Sequence, residues 1–553
     1  MVNKKRIWQS VLVFIGFTFF VFMMNLTTQS LNYDIIWCFH ISQKIANGFE
    51  LYSEIGTVVT PIYFWIGSLF VKIFGNSMIS MDLYSGVVAG AISTIIFNII
   101  QETRKKENKY THILFFFFMI VALTKLALTN YNSCAMMWVL LAAFLEVRKE
   151  RKIELNMPSF TKKKENIYNL FIGIVLGLAF FTKQNIGTYG VLATGIFSLV
   201  YKCFIKKENT FKEIFLKASG FLMVLFGFLA YFALSGTFAD FINFCLGGLL
   251  EFGDKNLRCG FPMPYFGIVI ILTLSFMLMK EKKKNATVWI AEIIYLLCLM
   301  LLVYPLTNLY HVFCSMLMLL PVVILLLNEV TETESMLTIL SVAFLAFTLY
   351  STKATGGELT ETEVMFSGDL TILSYYLGVF LVAFFIGMAF ATIKNNINIV
   401  NNILIASSLG FVVVSVLQFR TNISENSYLP EGLEIYKNHG YSEEVLDYID
   451  SVIQYVLQKE AEGENVYIVS ADASYYMAAL GRNQYKYDLN LYGSLGYNGE
   501  QVLIEETKVL GDVIILKDKN LMFQEPEAFD EFIKENYEVI DEVGNLLVYT
   551  TKK

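Results

Sequence analysis

The sequence predicts an α-helical polytopic membrane protein: about thirteen transmembrane helices, interfacial helices in the first outer loop, and a small C-terminal α/β extracytoplasmic domain. Three observations predict it. Apolar residues make up 55% of the 553-residue chain and charged residues 16%, whereas a soluble globule carries about 25% charged residues. Apolar runs of spanning length recur from residue 7 to residue 419. The charge is also divided unevenly: residues 418–553 hold 11 Lys+Arg against 25 Asp+Glu, and the rest of the chain holds 31 against 24. Disorder, collagen-like structure and a small disulfide scaffold are excluded by the same composition. A net charge of −7 argues against a nucleic-acid partner.

The first apolar run, Ile7 to Leu26, follows the basic start Lys4-Lys5-Arg6. A secretory signal shares that start, but its apolar core is about 7–15 residues long and ends in small residues. Phe22-Met23-Met24-Asn25-Leu26 offers no such end, so the run reads as a retained first span with its N-terminus in the cytoplasm. Further runs lie near 83–100, 111–127, 131–147, 169–182, 186–204, 216–235, 265–279, 286–304, 312–328, 336–350, 372–393 and 403–419, which completes thirteen.

Pro61 to Phe74 is apolar but short. Thirteen or so helical residues reach about 20 Å, less than the ~30 Å of a hydrocarbon core. Thr60-Pro61 reads as a cap followed by proline at the first helical position, and Gly75 closes the helix. Counting it as a span would also turn Arg104-Lys105-Lys106, Lys162-Lys163-Lys164, Lys206-Lys207 and Lys282-Lys283-Lys284 outward, against the positive-inside rule. As an interfacial helix it leaves about 24 Lys+Arg of the membrane part inside and about 7 outside. The chain is therefore expected in the cell membrane, multi-pass, with residues 1–417 as its transmembrane domain. Residues 418–553 form the outer domain, where β runs (Val466–Val469, Val513–Leu516) alternate with amphipathic helices and a final hairpin turns at Val543-Gly544-Asn545.

The first outer loop, Thr27 to about Asp82, is long for a transport protein and dense in signals. Asp34 precedes a helix-like stretch from Ile35 to Asn47, in which His40, Gln43, Lys44 and Asn47 share one face and Trp37, Ile41 and Ile45 the other. Such a helix is expected to lie flat on the membrane with its polar face to water. Asp34 has the position of an N-cap as well as that of a carboxylate base. The order continues through Gly48, Leu51-Tyr52-Ser53-Glu54, Pro61 and Phe74-Gly75. Farther on stand Gly173, Gly177-Leu178-Ala179-Phe180 and Thr182-Lys183-Gln184.

This order resembles the opening of GT-C superfamily glycosyltransferases, in the branch of protein O-mannosyltransferases and aminoarabinose transferases. The motifs cover only about residues 34–75 and 173–184, but the architecture of the whole chain is similar too. The resemblance implies transfer of a sugar from a polyprenyl-phosphate donor to a lipid, cell-envelope glycan or protein acceptor on the outer face, by an inverting displacement. Chemistry gives each residue type a reason. An attacking hydroxyl must lose a proton, and the departing phosphate needs cations or hydrogen-bond donors. The family's first-loop acid maps onto Asp34. O-mannosyltransferases carry an Asp-Glu pair there, whereas here Ile35 follows, which leaves Glu54 as the candidate second acid.

Lys183-Gln184, at the outer end of a span, are candidates for the lipid phosphate, beside the bland reading of a lysine snorkelling to the interface. Tyr310-His311 and Arg258 sit in outer loops and are candidate substrate contacts; His311 equally suits a hydrogen-bonded interface position. The loop Glu251–Arg258 reads as a mobile gate or a solvated turn. Whether a divalent cation assists is open, because two loop carboxylates hold such an ion or work without one. The seven cysteines show no CxxC pair; Cys245 and Cys259 share an outer loop and can pair. The rival reading is a lipid-linked oligosaccharide flippase or other multi-span transporter, which would be expected to show intramembrane charges and paired interrupted helices.

Overall fold

The computed structural model of the chain describes residues 4–27, 33–104, 109–125, 130–255, 286–303, 311, 314–315, 317–329, 432–437, 443–484, 490–520 and 525–552. Among them, five helical stretches are long and apolar enough to cross a membrane. These are α1 (Lys4–Thr27), α4 (Met78–Thr103), α7 (Lys162–Thr182), α8 (Gln184–Gly195) with its π-helical continuation to Ile205, and α9 (Phe211–Ser235). The expected runs at 111–127, 131–147, 286–304 and 312–328 coincide with or overlap α5 (Lys109–Lys125), α6 (Tyr131–Glu154), α12 (Ala286–Leu299) and α13 (Leu319–Glu329). Those at 265–279, 336–350, 372–393 and 403–419 lie outside the described residues.

Packing divides the chain into two compact units. One comprises Met1–Asn25, Ser85–Gly227 and Arg258–Gln418; the other comprises Leu26–Tyr84, Phe228–Leu257 and Phe419–Lys553.

In the first unit α6 packs on α7, α7 on α8, and α12 on both α6 and α8. Ala142, Ile172, Val175 and Leu176 form one buried cluster there. Small residues set how closely the helices approach, as expected where lipid supplies no hydrophobic drive between them. A Cβ at Gly173 would strike the Lys217 carbonyl, and one at Gly177 would lie 2.7 Å from Val224 Cβ. On the facing side, a Cβ at Gly220 would meet the Leu170 carbonyl. The glycines of the G-x-x-x-G-L-A-F motif are therefore contact points between α7 and α9. Gly86 and Gly90 do the same for α4 against α1, where a Cβ would come 2.7 Å from the Thr18 and Phe14 carbonyls respectively.

In the second unit, α2 (Tyr33–Ala46) packs on α3 (Ile62–Phe74). Helix α3 starts after Pro61 and stops at Gly75, whose φ of 102° belongs to glycine. Its 13 residues keep it too short to span. The short helices α10 (Phe238–Ile242) and α11 (Gly248–Lys255) belong to this unit too. So does a four-stranded sheet of order β1-β2-β4-β3, made of β1 (Val466–Ile468), β2 (Ile514–Asp518), β3 (Tyr537–Val543) and β4 (Leu546–Thr551). Strands β1 and β2 run parallel, the other pairs antiparallel, and the β3–β4 hairpin turns through Gly544 at φ 57°. Helices α14 (Glu443–Ala461), α15 (Ala473–Leu480), α16 (Gly499–Val509) and α17 (Glu527–Asn536) accompany the sheet. The apolar sides of α14 and α17, including Leu446, Ile449, Val452 and Phe529, Ile533, are buried, as their amphipathic patterns require.

Candidate active site

The first-loop helix begins earlier than its apolar pattern suggests. Asp34 lies inside the first turn of α2 and is exposed. A carboxylate there interacts favourably with the helix dipole and needs no capping geometry. The polar face of α2 departs from expectation more strongly. His40, Gln43 and Lys44 are all buried, covered by α15, rather than turned to water. The Gln43 amide donates to the Ala478 carbonyl at 3.0 Å and to Asn76 Oδ1 at 2.9 Å, and its own oxygen lies 3.1 Å from His40 Nδ1. Burial lowers the Lys44 pKa to about 7. Burial, with the Lys44 charge beside it, holds His40 well below the usual imidazole range. A polar face reads as solvent-facing until another element supplies partners, and the partner here lies more than four hundred residues away.

Beyond Gly48 the chain makes a tight turn. The Tyr52 amide donates to the Ile55 carbonyl at 2.8 Å and the Tyr52 hydroxyl to the Val59 carbonyl at 3.0 Å. Tyr52 is fully buried yet has φ 75°, an outlier for a bulky residue. Its ring pays for that strain with edge contacts to Phe232 and Phe241, 5.5 and 5.4 Å away. Cys245, buried with no disulfide, places its Sγ 4.0 Å from the same Val59 carbonyl. Cys259 lies outside the described residues. The turn leaves Glu54 exposed at its apex, its carboxylate accepting the Glu50 amide at 2.6 Å.

Lys183 and Gln184 belong to the first unit. Lys183 takes an extended conformation (φ −157°, ψ 122°) that separates α7 from α8, and Gln184, the first residue of α8, is buried. The Lys183 ammonium lies 4.8 Å from the centre of the Tyr131 ring and donates to Asn132 Oδ1. Both partners stand at the start of α6, which Asn130 and Ser133 close with a reciprocal capping box. Sequence reasoning missed Tyr131 and Asn132; the capping pattern Asn130-x-x-Ser133 is visible, but its nearness to Lys183 is not.

Of the remaining candidates, His311 is half-buried in a helical turn. Arg258 and Tyr310 lie outside the described residues. The stretch read as a gate is helical from Gly248 to Lys255 and docked: the Glu251 carboxylate accepts the Asn498 amide at 2.8 Å, and a Cβ at Gly248 would meet the Gly493 carbonyl at 2.5 Å.

Among the described residues, Glu146, Glu150 and Glu213 place carboxylate oxygens within 4.8 Å of one another, close enough to share a metal ion. The protein supplies its own cation instead. Lys149 Nζ stands 2.6, 3.2 and 2.9 Å from the three carboxylates. Lys217 joins Glu146 and Glu213 at 2.6 and 2.7 Å, and Lys202 joins Glu150 and Glu213 at 2.9 and 2.8 Å. Three ammoniums and three carboxylates thus balance within the bundle.

Residues 58–232 match the family model for dolichyl-phosphate-mannose-protein mannosyltransferases. No curated protein matches the chain in sequence. The crystal structure of ArnT from Cupriavidus metallidurans in the apo state superposes with a TM-score of 0.59 at 12% identity, covering 98% of this chain and 97% of that one. The chain shares the fold of this ArnT. The same ArnT bound to undecaprenyl phosphate gives a TM-score of 0.57 at 11% identity, with equal coverage. At such identity the likeness is one of fold, and it is carried by nearly the whole length of both chains.

Proposed function

We propose that the chain is an integral-membrane glycosyltransferase that moves a sugar from a polyprenyl-phosphate donor to a lipid, cell-envelope glycan or protein acceptor on the outer face. One observation carries this reading: an exposed carboxylate, Asp34, opens the first-loop helix of a fold shared with ArnT, where an acceptor hydroxyl would need a base. The mannosyltransferase-type match over residues 58–232 and an ArnT relative solved with undecaprenyl phosphate support the donor class.

In this reading Asp34 takes the acceptor proton, Glu54 assists it, and Lys183 with Gln184 meets the donor phosphate. Tyr310, His311 and Arg258 complete the substrate contacts from the outer loops. The chain crosses the membrane thirteen times with its N-terminus in the cytoplasm, residues 1–417 forming the transmembrane domain and 418–553 the outer one. The test gives purified protein radiolabelled polyprenyl-phosphate sugars and compares wild type with Asp34→Asn. Unchanged turnover in the variant removes Asp34 as the base. Absence of turnover with every lipid-linked donor moves the reading to transport.

A further inference from the structure

At the end of α7 opposite Lys183 the first unit contains a cavity of about 220 Å³. It is reached between the end of α6, the starts of α7 and α9, and Lys202 and Lys206 on the continuation of α8. The buried Lys149–Glu213 network lies against it, since Glu150, Lys202 and Glu213 belong to both.

Four features of the cavity select an anion. First, helices of 21 and 25 residues, α7 and α9, both begin at it, with Lys162 and Asn166 of α7 and Lys212 of α9 in its lining. First-turn amides lack intrahelical partners and the dipole there is positive, so two such ends favour negative charge. Second, the lining sets Lys162, Lys202, Lys206 and Lys212 against five glutamates, within flanks 146–165 and 202–217 that carry twelve Lys+Arg against six Glu. Third, the carboxylates in the lining are largely answered by the protein itself: Glu150 and Glu213 by Lys149 and Lys202, Glu165 by Lys162 at 2.7 Å, and Glu154 by the Thr287 amide at 3.2 Å. Lys206 donates to Thr287, lies 5.5 Å from the centre of the Tyr201 ring and is 3.8 Å from Glu208; Lys212 is exposed at the start of α9.

The fourth feature is Thr210. It precedes α9, lines the cavity and is 3% exposed, yet its hydroxyl has no hydrogen-bond partner among the described residues. A buried hydroxyl without a partner is costly, and such groups are rare in native structures.

We propose that this cavity is a phosphate-binding site, in which Thr210 Oγ and the first turn of α9 hold the phosphate oxygens and Lys206 and Lys212 supply the charge. The chemistry is shared by a phospholipid headgroup and by soluble phosphate. The site stands apart from the sugar transfer proposed above and does not depend on it.

The test uses the full chain in phosphatidylcholine nanodiscs and follows thermal unfolding. One arm adds inorganic phosphate against chloride at equal ionic strength; the other replaces part of the phosphatidylcholine by phosphatidylglycerol. A rise in Tm with inorganic phosphate supports the site with a soluble ligand, and a rise with phosphatidylglycerol alone supports a lipid headgroup. Thr210→Val and Lys212→Gln are expected to lose most of the rise and to weaken the apparent Kd roughly tenfold, the value of a hydrogen bond to a charged group. Without added phosphate or phosphatidylglycerol, Thr210→Val should unfold no earlier than wild type, since it removes a hydroxyl that bonds to nothing among the described residues. No rise in either arm, or a full rise in Thr210→Val, overturns the proposal.

Discussion

The ammonium of Lys183 rests over the Tyr131 ring, 4.8 Å from its centre, at the break between α7 and α8. The ring and the Asn132 side chain fix where the charge sits. A cation over an aromatic face gains about 0.5–2 kcal/mol, so Tyr131→Leu is expected to raise the donor KM about 2- to 30-fold with little change in kcat. Lys183→Met should lower kcat/KM by at least about tenfold, the value of a charged hydrogen bond. Steady-state kinetics with a polyprenyl-phosphate sugar reads both. Equal kcat/KM for Lys183→Met and wild type would take the lysine out of the reaction.

Asp34→Asn is isosteric and exposed, so it should fold normally and lose less than about 1 kcal/mol of helix-dipole stabilisation. Its kcat is expected to fall about 10²- to 10⁴-fold, the usual contribution of a positioned general base. Single-turnover assays alongside circular dichroism separate lost chemistry from lost structure.

Lys149 stands among Glu146, Glu150 and Glu213, and removing one member of such a network leaves charges without partners inside the bundle. Lys149→Met and Glu213→Gln are each expected to cost about 3–5 kcal/mol. The double variant restores the charge balance and should recover part of that loss. Thermal unfolding in detergent measures all three; additive losses would show that the charges act independently.

Gly173→Ala would drive a Cβ into the Lys217 carbonyl across the α7–α9 crossing. Overpacking of this kind costs about 1–3 kcal/mol. A lowered Tm with unchanged KM is expected, because the motif glycine packs α7 against α9.

Asp518 ends β2 and accepts the Ala471 amide at 3.0 Å. Burial, with the Asp472 and Glu525 carboxylates nearby, pushes its pKa up to about 8. The native state then keeps a proton that the unfolded chain releases near pH ~4. The stabilising contribution is full below that value and is lost as pH rises through about 8. Wild-type Tm should therefore decline between pH ~5 and ~8, and Asp518→Asn should flatten the decline. Parallel slopes for the two proteins would exclude Asp518 as its source.

Much of the helical framework was legible because apolar length alone decides what can cross a bilayer, and Pro61 and Gly75 mark α3 by backbone chemistry that no other residue supplies. The strands of the tail were legible from β-branched runs beside turn residues. Three features were not. The buried network hides because Lys149-Glu150 and Lys202 look like any basic helix end, and only packing of α6, α8 and α9 removes them from water. The polar face of α2 looks solvated until α15 covers it. Tyr131 and Asn132 lie 51 residues or more from Lys183, beyond the reach of any local pattern.

The contact of α2 with α15 bears on how such a chain can change. Gln43 and Ala478, 435 positions apart, share one hydrogen bond, and the helix that carries Asp34 owes the cover of its polar face to the tail. Neither stretch can be exchanged, trimmed or drift in sequence alone. A hybrid assembled from two relatives would have to inherit residues 33–46 and 473–480 from the same parent, or strand a histidine, a glutamine and a lysine against a surface that no longer fits them.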